Sequence, residues 1–319
     1  MEIVTIGTPL LWGSFTLFVL VMLVLDLYVF HRKAHEVKMR EAIGWTVFWI
    51  GLAVIFNLGI WYWFGGERAL EFLAGYFIEK ALSVDNLFIF LVIFSYFSVP
   101  KALQHRVLFW GILGALIMRG VFISLGAVLL QRYHWIIYPF GILLIWTGVK
   151  LLIQRARKVH PENNFVVRLF KRLIPITADY RGEAFVVIES GRRYATPLLL
   201  VLLTIEMTDL VFAIDSIPAI FAVTSDPFIV YTSNIFAILG LRSLYFALAG
   251  VMGKFHYLRV GLALVLTFVG SKMLLGGVFK IPIVVSLAVV VTLIGGSIIV
   301  SLLFPPVQPP LPVHPPDPE

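Results

Sequence analysis

Glu79-Lys80-Ala81-Leu82-Ser83-Val84-Asp85-Asn86 and Asp209-Leu210-Val211-Phe212-Ala213-Ile214-Asp215-Ser216 decide how this chain is read. Each stretch lies inside a long apolar run and carries two acids six residues apart, the second followed by a small polar residue. A charged group near the centre of a bilayer costs at least about 2.5–3.5 kcal/mol on insertion scales, so intramembrane acids face a polar interior and serve a purpose there. The same cost taken twice, at the same spacing, points to a transporter with a carboxylate site between two related halves.

Composition agrees. Of 319 residues, 60% are hydrophobic and 13% charged, and the mean hydropathy is +0.96. Soluble domains carry about 25% charged residues, so the chain reads as a polytopic membrane protein. The first apolar run has no basic residue before it and no small-residue cleavage site, so it reads as a span. With no Cys there is no disulfide frame, no thiolate metal site and no dithiol centre within the chain. The net charge of +7 is assigned to basic loops at the membrane surface rather than to nucleic-acid binding.

About 20 apolar residues cross the hydrocarbon core as a helix. Nine such runs are expected, near residues 8–30, 42–64, 70–98, 106–130, 134–153, 197–223, 228–252, 257–278 and 282–304. With the N-terminus outside, the inward connections and their flanks hold seventeen Lys and Arg residues; the outward ones hold three, Arg68, Arg132 and Lys280. This asymmetry places the N-terminus outside and the C-terminus in the cytoplasm.

The expected organisation is two N-terminal spans (1–66), a three-helix unit (67–153), a cytoplasmic connection (154–196), a second three-helix unit (197–279), a last span (280–304) and a Pro-rich tail (305–319). Within the connection, 164–174 is read as a helix lying along the inner leaflet. Phe185–Ile188 and Arg192–Ala195, around Glu189-Ser190-Gly191, read as a small hairpin.

Aligning Ser83–Asn86 with Ala213–Ser216 puts Glu79 on Asp209. Each acidic span is followed by a Gly-rich one with a single arginine: Trp110-Gly111-Ile112-Leu113-Gly114 before Arg119, and Phe236-Ala237-Ile238-Leu239-Gly240 before Arg242. By the charge count the two units run in opposite directions, which makes a 3+3 inverted repeat, a recurrent transporter plan with its site near midplane.

On an ideal helix, residues six apart differ by about 120° and ~9 Å along the axis. Glu79, Ser83 and Asn86 then share a face, as do Asp209, Ala213 and Ser216, with Asp85 and Asp215 to one side. Glu206 precedes Asp209 by three residues, so the two carboxylates are neighbours. Pro218 removes the backbone bond to the residue 214 carbonyl and frees it beside Asp215. Carboxylate, amide, hydroxyl and bare carbonyl oxygens suit hard divalent cations such as Mn²⁺, Mg²⁺ or Ca²⁺. Candidate charge partners within the spans are Lys80, Arg119, Arg242 and Lys272; all five acids being permanently paired is the structural alternative. Asp26 either extends the ion path or pairs with Arg32 at the interface. Asn234 is either a ligand or interhelical glue.

The two acidic motifs closely resemble the TerC family. Phe94-Ser95-Tyr96-Phe97, the run Ile217-Pro218-Ala219-Ile220 after the second motif, and Thr232-Ser233-Asn234-Ile235-Phe236-Ala237-Ile238-Leu239-Gly240-Leu241-Arg242 do so too. The opening Gly7-Thr8-Pro9-Leu10-Leu11-Trp12 and the Asp26, His31, His35 pattern look like its Alx branch. The resemblance implies a bacterial inner-membrane protein of LysE-like all-α fold that exports manganese, with tellurite-resistance, alkaline-pH and redox-modulator associations in the family. It also implies that Glu79, Asp85, Asp209 and Asp215 are the ion-pathway acids, with Glu206 and Asn86 next.

The expected function is therefore a secondary transporter exporting Mn²⁺, with protons as candidate counter-ion, Ser216 completing the shell, and no resident cofactor. The alternative class is a membrane scaffold acting in stress response through partners recruited by 154–196. No nucleophile–base pair, cofactor box or zinc motif speaks for an enzyme.

Overall fold

The computed structural model of the chain describes residues 5–30, 39–153, 175–189, 191–249, 257–276, 279 and 281–304. Ten α-helices account for most of them: α1 (Pro9–Phe30), α2 (Met39–Phe64), α3 (Gly66–Tyr96), α4 (Lys101–Arg132), α5 (Ile137–Ile153), α6 (Pro197–Phe221), α7 (Pro227–Leu239), α8 (Leu241–Leu248), α9 (Leu258–Leu275) and α10 (Ile283–Leu303). A hairpin of β1 (Val186–Glu189) and β2 (Arg192–Ala195) precedes α6, as the sequence leads one to expect, with Val186 paired to Ala195 and Glu189 to Arg192. The 164–174 stretch and the Pro-rich tail lie outside the described residues.

All nine apolar runs fall on helices, and one needs correcting. The 228–252 run is divided into α7 and α8, bent by 40° at Gly240. A Cβ there would lie 2.9 Å from the Trp49 Cβ and 3.2 Å from the Lys80 Nζ, so only a glycine lets the chain turn this close to α2 and α3. By length and composition, α2, α4 (to Leu130), α6, α9 and α10 can each cross a membrane, and the bent α7–α8 pair is a sixth if its two pieces form one broken span rather than a re-entrant loop. Helix α1, of 22 residues, is apolar too, and α5, of 17, is apolar but shorter. Helix α3 has 31 residues, about 46 Å at 1.5 Å per residue. It carries Glu67, Arg68, Glu71, Glu79, Lys80 and Asp85 among its apolar residues.

Helix α3 is central, packed against α2, α6, α7 and α10. An aromatic cluster ties it to α1, α2 and α7: the Phe236 ring lies 4.9 Å from Phe56, 5.8 Å from Phe15 and 6.0 Å from Phe72, centroid to centroid. Aromatic pairs at such spacings add about 0.5–1.5 kcal/mol beyond their burial. Helices α5 and α9 meet most intimately. A Cβ on Gly270 would sit 2.7 Å from the Gly141 carbonyl oxygen, and one on Gly148 2.7 Å from the Ala263 carbonyl oxygen. Small residues let the two backbones approach, as is usual between membrane helices. By contrast, α1, α2 and α10 turn large apolar side chains outward, with Leu10 81%, Trp63 74% and Leu303 68% exposed. Such surfaces suit lipid.

Both ends of the bundle are tied by polar contacts. Turns differ in how they reverse the chain: Gly65 (φ 89°) separates α2 from α3, and Ser98 (φ 50°) separates α3 from α4. Beside the second turn, the Tyr180 hydroxyl donates to the Phe97 carbonyl at 2.7 Å. Burial pushes the Tyr180 hydroxyl above its ordinary range, which keeps it a donor. Arg106 at the start of α4 pairs with Glu183.

At the other end Asp226, fully buried, caps α7. Its carboxylate accepts from the Phe228 N–H (2.9 Å), the Thr5 hydroxyl (2.7 Å) and the Ile6 N–H (2.8 Å). Asp226→Ala strands all three donors. It is expected to cost about 2 kcal/mol or more, read as a lower midpoint in thermal unfolding of the detergent-solubilised protein.

Candidate functional site

Four helices converge on one guanidinium. Arg119 of α4 is buried and donates through Nη1 to Glu79 Oε1 of α3 at 2.5 Å. It also donates through Nη1 to Ser216 Oγ of α6 (3.2 Å) and Asn234 Oδ1 of α7 (3.3 Å). Its Nε and Nη2 grip the two oxygens of Asp209, on α6, at 3.4 and 3.3 Å. This two-pronged grip is the strong geometry of an arginine–carboxylate pair. Glu79 takes two further bonds, from Ser83 Oγ (3.1 Å) and Asn234 Nδ2 (3.0 Å). Glu79, Ser83, Asp209, Ser216 and Asn234 are all buried. Helical spacing explains the sharing: Glu79 and Ser83 lie one turn apart on α3, and Asp209 and Ser216 two turns apart on α6. Two carboxylates against one arginine leave the cluster one negative charge in excess.

Asp215 stands apart from that cluster, and Glu206 meets it through the electrostatic repulsion of Asp209. Among the described residues no three Asp, Glu or His side chains gather as a metal site. Of the four motif acids expected to line one pocket, Glu79 and Asp209 meet at Arg119. Asp215 turns to α5 instead, where its Oδ1 accepts from Thr147 Oγ1 at 3.1 Å. Lys150, one turn further along α5, acts on it electrostatically and stacks over Trp146 at 4.2 Å from the ring centroid. The reason is helical geometry: six residues separate Asp215 from Asp209, so the two acids point to different neighbours. Helix α6 continues through Pro218 to Phe221, and Pro218 has no N–H to offer the Ile214 carbonyl.

Glu206 is half-buried, and no described residue makes a hydrogen bond or ion pair with it. Its carboxylate fills the notch left by Gly114 on α4, where a Cβ would come within 2.0 Å of Oε1. Gly114→Ala meets the tip of a flexible side chain, so the carboxylate moves and the helices stay. Expected are a change in stability below about 1 kcal/mol in thermal unfolding and a displaced Glu206 carboxylate.

Of the four proposed charge partners, Arg119 joins Glu79 and Asp209. Lys80 donates to the Ala237 carbonyl at 3.1 Å, close to the α7–α8 bend. Lys272 forms no ion pair among the described residues and feels Glu71, which is held by Arg68 (2.9 Å) and Thr224 (2.7 Å). Arg242 is buried on α8. Asn86 is buried on α3. Asp26 and Asp85 lie on α1 and α3, and their side chains lie outside the described ones.

Sequence reasoning did not single out Thr147 as a partner of Asp215, nor Gly114 as the seat of Glu206. The one available signal was the presence of a hydroxyl and a glycine in otherwise apolar spans.

The description "Integral membrane protein TerC family" fits residues 64–308. A Myxococcus xanthus protein named "Uncharacterized membrane protein STKORF319" is 56% identical over 299 residues, 94% of either chain. An Escherichia coli K12 protein named "Putative membrane-bound redox modulator Alx" is 48% identical over 295 residues, 90% of this chain and 92% of that one. A Rickettsia felis membrane protein is 41% identical over 292 residues, 92% of this chain and 97% of its own. No solved structure matches the chain.

Proposed function

The chain belongs to the TerC family of multi-pass integral membrane proteins, and from that premise we propose that it is a secondary transporter carrying divalent metal ions, Mn²⁺ foremost, out of the cell across the cytoplasmic membrane. The observation that carries this reading is the buried, net-negative cluster of Glu79, Asp209 and Arg119, built from helices of both triplets. Such a cluster is costly in lipid and is kept where it serves an ion path. Its oxygens belong to carboxylates, a hydroxyl and an amide, the donors of hard cations. Cys is absent from the chain, which argues against soft-metal cargo and against thiol redox chemistry by its own residues.

The packing supports alternation between two triplets, α3–α5 and α6–α9, with the bent α7–α8 pair as the middle member of the second. Exchanging the triplets turns the α3–α7 contact into the α6–α4 contact and returns α3–α6, α4–α7 and α5–α9 to themselves. This exchange symmetry is consistent with the inverted repeat we propose, whose halves would rock around a fixed midplane site. Glu206, one turn before Asp209 on a helix that starts at the Lys/Arg-rich side, is the first acid of the site met from the cytoplasm. Asp215 and Thr147 lie further along the same helix. Protons are the proposed counter-ion, and no chemical step is involved.

The test is flux into proteoliposomes made with the purified full chain, comparing Mn²⁺, Mg²⁺, Ca²⁺ and Zn²⁺ under an imposed pH gradient. Protein-dependent Mn²⁺ flux, faster with the gradient, is expected. No flux of any of the four ions would overturn the reading.

A further inference from the structure

We infer that Arg119 is a tethered competitor of the transported cation, holding the ion's place on Glu79 and Asp209 while the site is empty and withdrawing when an ion binds. The inference rests on the transport reading above. Its basis is the donor set around the guanidinium. Five oxygens from four residues on α3, α6 and α7 surround this one cation: Glu79 Oε1, both carboxylate oxygens of Asp209, Ser216 Oγ and Asn234 Oδ1. A ring of carboxylate, hydroxyl and amide oxygens is also what a hard divalent ion takes as its shell.

Charge makes the two cations exclusive. With Arg119 in place the cluster is one charge negative. With a divalent ion in its stead it would be neutral, and with both it would carry an excess positive charge in a low-dielectric interior, which is the costly case. Space says the same. Divalent ions hold oxygens at about 2.0–2.6 Å, whereas most of these oxygens stand 3.2–3.4 Å from guanidinium nitrogens. The oxygens must close in on the position the guanidinium fills.

An exchange of this kind solves two problems of a buried acidic site. The empty site never presents two bare carboxylates to lipid, so the return step without cargo stays accessible. Bound ion is released more easily because a resident cation stands ready to retake the oxygens. A purely structural Arg119 would do neither; it would simply clasp α3 to α6.

The two roles predict opposite effects on binding. Mn²⁺ binding to the full chain in nanodiscs is read by loss of the free-ion paramagnetic resonance signal, beside flux in proteoliposomes. Arg119→Gln removes the competitor and is expected to bind Mn²⁺ at least about tenfold tighter while turning over at least about tenfold more slowly. Arg119→Lys keeps the charge but loses the planar fork, and should shift both quantities in the same direction by less.

In the wild-type chain, labelling the arginine guanidino carbon should reveal a guanidinium band that shifts in the infrared difference spectrum on metal binding. Weaker or unchanged binding in folded variants, or a silent guanidinium band in wild type that does bind metal, would overturn the inference and leave transport standing. Wild type with neither binding nor flux would instead overturn the transport reading itself.

Discussion

Replacing Arg119 with alanine is expected to lower stability by about 3–5 kcal/mol, the usual cost of removing one partner from a buried ion pair. The loss strands Glu79 and Asp209, both buried, without their shared cation. Adding Glu79→Gln and Asp209→Asn to the same chain removes the stranded charges and should restore most of the loss, at the expense of flux. Mn²⁺ itself should also restore part of it. A ligand that binds only the folded state adds about 2.7 kcal/mol at a hundredfold excess over its dissociation constant, so the variant's thermal midpoint should rise with Mn²⁺ more than that of wild type. The measurement is thermal unfolding of the detergent-solubilised protein with and without metal. An unchanged midpoint in the alanine variant would remove the triad from the forces holding α3, α4 and α6 together.

Asp215→Asn is expected to abolish Mn²⁺ efflux at normal membrane abundance while leaving the fold intact. The amide oxygen of Asn can still accept from Thr147, which stands 3.1 Å from Asp215 Oδ1, so the contact between α5 and α6 persists. Only the charge goes, and with it the attraction for a divalent ion. The stability change should stay within about 1 kcal/mol. Cells carrying the variant should accumulate Mn²⁺ as fully as cells lacking the protein; undiminished efflux would exclude Asp215 from the ion's route.

Much of the architecture is legible in one dimension because membrane spans are long apolar runs, and these survive any uncertainty about how they pack. All nine runs fall on helices, and the hairpin at Val186–Ala195 follows from an apolar–turn–basic pattern. The pairing of Glu79 and Asp209 was legible too, since they hold equivalent places in two matching motifs. What the sequence left open is the rotation of each helix about its axis. Asp215 lies on the same helix as Asp209, yet its angular position sends it to Thr147. Lys80 adjoins Glu79 in the chain, yet it reaches the Ala237 carbonyl on another side of α3. The break at Gly240 was hidden for a different reason: nothing in a continuous apolar run marks where a neighbouring tryptophan will press against the backbone.

The glycine-lined contact between α5 and α9 has a mechanical consequence. At Gly141 and Gly270, and two turns away at Gly148, the two backbones approach closely, and the side chains of Leu274, Ile145 and Thr267 fill the notches that the glycines leave. So close a seam has no slack, and any added atom must push the two helices apart. A bulky residue at Gly270 would wedge α5 away from α9 while leaving the Glu79–Arg119–Asp209 contacts on α3, α4 and α6 in place.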